Sequence, residues 1–272
     1  MEILAVHGSP HRGNTWEITR RFEEKLLSFG DVEFEHLHLK DMNIEPCRGC
    51  FACFLKGEDA CPLKDELGRI RDKIEEADGV LFVSPVYALH VTHLMKRFID
   101  RLAYIFHRPR YFGKYAVVIS AAGNPRLGLK DTLKYMETTA GSWGFRCVGR
   151  LGYGRLPETM NVPDLEAGKK DRMDEVVGAF HRAIREDKPR KLKFTDHLWF
   201  RSVQVVYKKM REGSPEDYRY FEENGWLDGR TRWFSDHVVV NPLYDAAAKA
   251  LAGWMGSQIE KSLRKHGTGP GA

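Results

Sequence analysis

Four of the five cysteines crowd into one stretch, Cys47-Arg48-Gly49-Cys50-Phe51-Ala52-Cys53, with Cys61-Pro62 following after seven residues. Thiolates at C-x2-C-x2-C spacing can converge on one iron–sulfur cluster, and a more distant fourth completes a four-thiolate set. Structural zinc also takes four cysteines, but usually from two separated C-x2-C knuckles, which this run lacks. A group of reduced thiols without metal remains open at this point. The clustering itself argues against a secreted disulfide scaffold and for metal or redox chemistry. Cys147 stands alone in an apolar stretch and reads as a small core residue.

The second chemically suggestive segment is Gly8-Ser9-Pro10-His11-Arg12-Gly13-Asn14-Thr15, between an apolar run and a helical spacing. A helix N-terminus presents unpaired N–H groups to an anion. Gly8, Ser9 and Gly13 let the backbone wrap closely, Ser9 and Thr15 supply hydroxyls, and Arg12 adds positive charge. The spacing nearly matches a P-loop, but Asn14 replaces the lysine that reaches the β and γ phosphates, so a monophosphate is expected. The dinucleotide fingerprint G-x-G-x-x-G is missing, which argues against a tightly bound NAD here. Ser84-Pro85-Val86-Tyr87-Ala88-Leu89-His90 and Ala121-Ala122-Gly123-Asn124-Pro125-Arg126 end two further apolar runs. Tyr87 offers a ring to a planar ligand, and Gly123 permits close approach. His90 and His93 adjoin the second segment and could donate a proton to a reduced substrate, but with no third group placed to tune them they read more simply as solvated or capping groups.

These segments need a frame that brings them to one edge. Residues 2–6, Val32 to Leu39, Gly79 to Ser84, Tyr115 to Ser120 and Phe145 to Leu151 read as strands. Helical spacing separates them: Trp16, Ile18, Phe22 and Leu26, then Lys64 to Ala77, Val91 to Phe106, Lys130 to Trp143 and Leu165 to Arg185. Apolar strands alternating with helices require a sheet covered on both faces, hence a doubly wound five-stranded parallel sheet with ligands at its C-terminal edge. After Asp187 the alternation stops. Leu198 to Met210, a helix starting at Ser214-Pro215-Glu216, and a last helix from Asn241-Pro242 toward Gly267 form an aromatic-rich arm at 190–272, with an apolar stripe at Ala247, Leu251, Trp254 or Met255, and Ile259. The expected division is 1–187 and 190–272.

The first loop, with Ser84-Pro85-Val86-Tyr87 and Ala122-Gly123-Asn124, resembles the NADPH-dependent FMN reductase family of flavodoxin-like proteins, and the cysteine run resembles that of the iron-sulfur flavoproteins. The resemblance covers about residues 1–187. It implies that Ser9, Arg12, Asn14 and Thr15, in a loop shaped by Pro10 and Gly13, hold an FMN phosphate. Pro85, Val86, Tyr87 and Ala88 with Ala122, Gly123 and Asn124 would line the isoalloxazine. Cys47, Cys50, Cys53 and Cys61 would hold a [4Fe–4S] cluster. The implied activity passes electrons from NAD(P)H through FMN to a quinone, a small electrophile or an iron–sulfur centre. A non-enzymatic electron carrier and a flavin-free regulatory protein are the alternatives.

Composition agrees with a globular protein. Charged residues make up 30% of the 272-residue chain and hydrophobic ones 42%, against disorder. The net charge of +5 is spread over 43 basic and 38 acidic residues, so nucleic acid is not implied. No signal peptide or membrane span is read, so the expected location is the cytoplasm. The arm's apolar stripe leads us to expect a homo-oligomer.

Overall fold

In the computed structural model, which describes residues 1–154, 167–209 and 211–265, each apolar run expected as a strand is one. The elements in chain order are β1 (Glu2–His7), α1 (Asn14–Leu27), β2 (Glu33–His38), the single turn α2 (Ala52–Leu55), α3 (Leu67–Glu76), β3 (Gly79–Val83), α4 (His93–Arg101), β4 (Tyr115–Ala122), α5 (Leu129–Ser142), β5 (Arg146–Gly154), α6 (Ala167–Glu186), β6 (Arg190–Lys191), α7 (Phe194–Lys209), α8 (Pro215–Glu223), β7 (Val238–Val239) and α9 (Pro242–Lys265). Leu165, Met210 and Gly267, which the spacing assigns to helices, lie outside the described residues.

The chain separates into two compact units, Met1–Cys50 with Pro62–Asp187, and Phe51–Cys61 with Lys188–Ala272. In the first, five parallel strands run in the order β2-β1-β3-β4-β5, the flavodoxin-like doubly wound arrangement. Every residue of β3 and β4 is buried, as central strands covered on both faces must be. Ile3, Ala5, Leu81, Val83, Val117 and Ile119 pack on one face against Ile18, Phe22 and Leu26 of α1 and Val177 and Phe180 of α6. On the other, Phe82 meets the edges of Trp143 and Phe145, and Trp143 meets Phe98 of α4.

Helix α3 starts at Leu67 rather than Lys64 and α7 at Phe194 rather than Leu198, and α4 also departs from expectation. The Val91 to Phe106 run begins instead at His93, because the Thr92 hydroxyl accepts the Met95 N–H at 3.2 Å and caps α4 there. After Arg101 the run continues only as a separate turn, Ala103–Phe106.

The second unit has its own core of Phe200, Tyr207, Phe221, Trp226, Trp233 and Phe234. Arg201 of α7 is buried and bidentate to Asp245 of α9 at 2.8 and 2.7 Å, and it donates to Gln204 and to the Thr231 carbonyl. The expected stripe on α9 is not what this core buries. Asp245, Ala248, Ala252 and Gly256 face inward, while Ala247, Leu251, Trp254 and Met255 are exposed; the Ile259 side chain lies outside the described residues. The reason is closeness: a Cβ on Gly256 would lie 2.5 Å from Val205 of α7, so the seam takes small residues. Among the described residues no helix is long and apolar enough to cross a membrane.

Candidate functional site

At the C-terminal edge of β1 the chain turns at Gly8, whose N–H donates to the Val83 carbonyl at 2.7 Å. A Cβ on Gly8 would approach Met95 of α4 to 2.7 Å, so no larger residue fits. The Thr92 hydroxyl donates to the Gly8 carbonyl, and Thr92 N–H donates to Ser84 Oγ at 3.2 Å. One threonine thus ties the ends of β1 and β3 to the start of α4. Ser9 and Thr15 are buried, Pro10 is half-buried, and Asn14 and Arg12 are exposed. Ser9 Oγ donates to the His11 carbonyl at 2.7 Å. Gly13 is the N-cap of α1, and no side chain caps that helix. Its first-turn N–H groups therefore remain for an anion. The Arg12 guanidinium lies over the Trp16 ring at 4.7 Å.

The loop after β3 keeps the sheet going longer than its proline suggests. Ser84 N–H donates to the Ile119 carbonyl and Val86 N–H to the Ala121 carbonyl. A parallel ladder takes N–H groups toward one neighbour only from alternate residues, and Pro85 falls where none is needed. Tyr87 and Ala88 are exposed at its tip, and the His90 ring meets Tyr135 at 4.5 Å. His93 is exposed at the start of α4. Ala122, the last residue of β4, is buried, while Gly123 and Asn124 beyond it are exposed, and a Cβ on Gly123 would meet open space. Parallel order and register bring these three loops to one edge, at the β1/β3 switch point.

Beside the first loop lies a ring cluster that the motif reading missed. His7 stacks on His38 at 4.6 Å and packs against Trp16 at 5.5 Å. His7 Nε2 is 3.0 Å from His36 Nδ1, and His36 Nε2 is 2.9 Å from Glu23 Oε2. A carboxylate only accepts, so His36 Nε2 carries the proton between them. Burial, then the neighbouring charges of His38, His36 and Arg12, push His7 down to about 3. Burial and Arg12 also lower His38. The available signal was His36-x-His38 on one strand face, with His38 in register with the terminal His7 of β1.

The cysteine excursion starts and ends at a clamp. Arg101 donates to the Glu45 carbonyl at 2.9 Å and pairs with Asp65; Asp65 accepts the Glu45 N–H at 2.8 Å; Glu66 accepts the Asn43 N–H at 2.7 Å. Burial works to raise the Asp65 carboxyl, but the hydrogen bonds from Arg101, Glu45 and Leu67 hold it below its usual value. Cys47 and Cys50 are exposed and belong to the first unit, while Cys53 and Cys61 are half-buried and belong to the second. Among the described residues no group of three or more His, Cys, Asp or Glu side chains is gathered as a metal site.

The model of the NADPH-dependent FMN reductase family matches residues 1–151, more than half of the chain. This chain belongs to the NADPH-dependent FMN reductase family. It is an NAD(P)H-dependent flavin oxidoreductase, as the loop residues implied. An iron-sulfur flavoprotein of Archaeoglobus fulgidus is 29% identical over 84% of this chain and all of its own length, a share that residues 1–187 alone could not supply. An iron-sulfur flavoprotein of Clostridioides difficile is 26% identical over 88% of this chain and all of its own. A crystal structure of RosB with a bound 8-demethyl-8-formylriboflavin-5'-phosphate intermediate shares the fold, with a TM-score of 0.51 and 15% identity, covering 68% of this chain and 79% of that one.

The residues of this FMN reductase suit the cofactor of its family. The close passage at Gly8, the uncapped α1 N-terminus and the buried Ser9 and Thr15 suit a phosphate. Tyr87, Ala88 and Gly123 leave an open edge for a planar ring. For an iron–sulfur cluster the donor set is chemically right, four thiols, but the structure does not gather them.

Proposed function

We propose that this FMN reductase holds FMN at the edge formed by the loops after β1, β3 and β4. Ser9, Arg12, Asn14 and Thr15 would bind the phosphate, in a loop shaped by Pro10 and Gly13. Pro85, Val86, Tyr87 and Ala88 with Ala122, Gly123 and Asn124 would line the ring. The observation that carries this is the convergence of three loops on one edge, with Thr92 fastening two of them. When bound, FMN supplies hydride acceptance from NAD(P)H and onward electron transfer to a quinone, a small electrophile or an iron–sulfur centre. The chain's part is to fix the phosphate, orient the ring and keep one face of it open.

The same reading gives Cys47, Cys50, Cys53 and Cys61 to a [4Fe–4S] cluster, supported by their spacing and by the names of the full-length relatives. A reducing, cytoplasmic location would keep those thiols available. A second copy of this chain would cover Leu243, Leu251, Trp254 and Met255, exposed on α9; a purely monomeric sedimentation profile would remove that part. One experiment tests the core of the reading. Anaerobically purified protein should show the flavin spectrum, bleach on NAD(P)H, and carry iron and sulfide that disappear in Cys50→Ser. Colourless protein that takes up no added FMN would overturn the flavin reading. Iron-free protein after anaerobic reconstitution would overturn the cluster alone.

A further inference from the structure

The turn between β3 and α4 carries strain that the sheet does not require. Ala88 and Leu89 both have positive φ, 46° and 69°. On either side, Tyr87 N–H donates to the His90 carbonyl at 2.8 Å and His90 N–H to the Tyr87 carbonyl at 3.0 Å. A two-residue turn with both central residues left-handed is ordinarily built from Asn-Gly, because an L-residue with a Cβ is strained there. Leucine has no short polar side chain to offset that strain. Burial does not offset it either, because Leu89 is 59% exposed.

The strain is held from outside. Gly128, at φ 74°, passes so close to the turn that a Cβ there would lie 2.5 Å from the Leu89 carbonyl oxygen and 2.6 Å from its Cα. The loop after β4 therefore presses backbone to backbone on the loop after β3. Its preceding residue, Leu127, is 54% exposed, and Tyr87 is 40% exposed. Single exposed leucines need no explanation. Two of them on loops braced together, one on strained backbone, at the edge where the flavin is proposed to lie, do.

We infer that Leu89 and Leu127, set in place by Gly128, determine acceptor specificity by offering a planar, apolar electron acceptor an apolar rim beyond the flavin-lining residues. The inference rests on the FMN reading above. A hydrophilic anion gains nothing from such a rim, whereas a naphthoquinone removes both side chains from water as it settles on the ring.

The test uses the flavin-loaded protein and the variants Leu89→Asn, Leu127→Asn and their combination. Asparagine tolerates left-handed backbone, so the turn is not further strained. FMN affinity is read by flavin fluorescence, and kcat/KM is measured with a naphthoquinone and with hexacyanoferrate(III). In the double variant the quinone-to-hexacyanoferrate ratio of kcat/KM should fall at least tenfold, mainly through the quinone KM, with FMN affinity held within twofold. Gly128→Ala, which leaves both leucines in place, should lower the same ratio by moving the turn. An unchanged ratio overturns the inference. So does a loss of FMN affinity that lowers both acceptors equally, since the leucines would then cover the flavin. Wild-type protein that binds no FMN overturns the reading beneath and this inference with it.

Discussion

Ser9 and Thr15 are proposed as phosphate ligands because their types and their place before a helix carry that chemistry locally. Each is buried at the loop in the structure. Hydrogen bonds to a charged phosphate are worth ~1.5–3 kcal/mol each, so Ser9→Ala with Thr15→Ala should weaken FMN binding at least tenfold in a fluorescence titration. Undiminished affinity would move the phosphate elsewhere. The Glu23–His36–His7 chain was not legible, because its members meet only after β1, β2 and α1 assemble. It has a consequence for pH. Folded His7 is held at about 3 against an ordinary 6.5, so below 6.5 the unfolded chain binds the extra proton. This stability is complete above pH 6.5 and is lost as pH falls toward 3, by at most ~1.4 kcal/mol per pH unit. Urea midpoints for wild type and His7→Gln, compared from pH 7.5 to 4.5, should show the shallower acid slope in the variant. Parallel slopes would exclude His7 as the source.

The strands were legible at the level of elements because a parallel sheet buried on both faces writes itself as continuous apolar runs. Boundaries were less so. Thr92 delays α4 by using its hydroxyl as a cap, a choice that apolar spacing does not register. The clamp at the cysteine excursion was hidden too, since Arg101, Asp65 and Glu45 are ordinary charged residues until folding buries the first two together. Removing one partner of a buried pair leaves an uncompensated charge and costs ~3–5 kcal/mol. Arg101→Met should therefore lower the unfolding free energy read from a urea titration by about that much, with a correspondingly lower midpoint. Limited proteolysis should cut between residues 46 and 64 first. A variant as stable and as resistant as wild type would show that the excursion is held by other contacts.

For the whole molecule, the five-stranded sheet was readable from alternation, but the exchange of Phe51–Cys61 between the two units was not. Phe51–Cys61 groups with Lys188–Ala272, and no composition shift marks that exchange. The second unit holds a separate aromatic core around the buried Arg201–Asp245 pair. Separate cores predict separate unfolding. Asp245→Ala would leave Arg201 buried with only neutral acceptors, Gln204 and backbone carbonyls, at a cost of ~3–5 kcal/mol confined to that unit. Calorimetry of the variant should show one transition moved several degrees down, while the temperature at which flavin is released from the first unit stays where it is in wild type. The sheet has no share in the Arg201–Asp245 network, so nothing in its own packing changes. If flavin release moves down together with a single merged transition, the two units unfold as one cooperative body despite their distinct cores, and the arm is then part of what stabilises the flavin site.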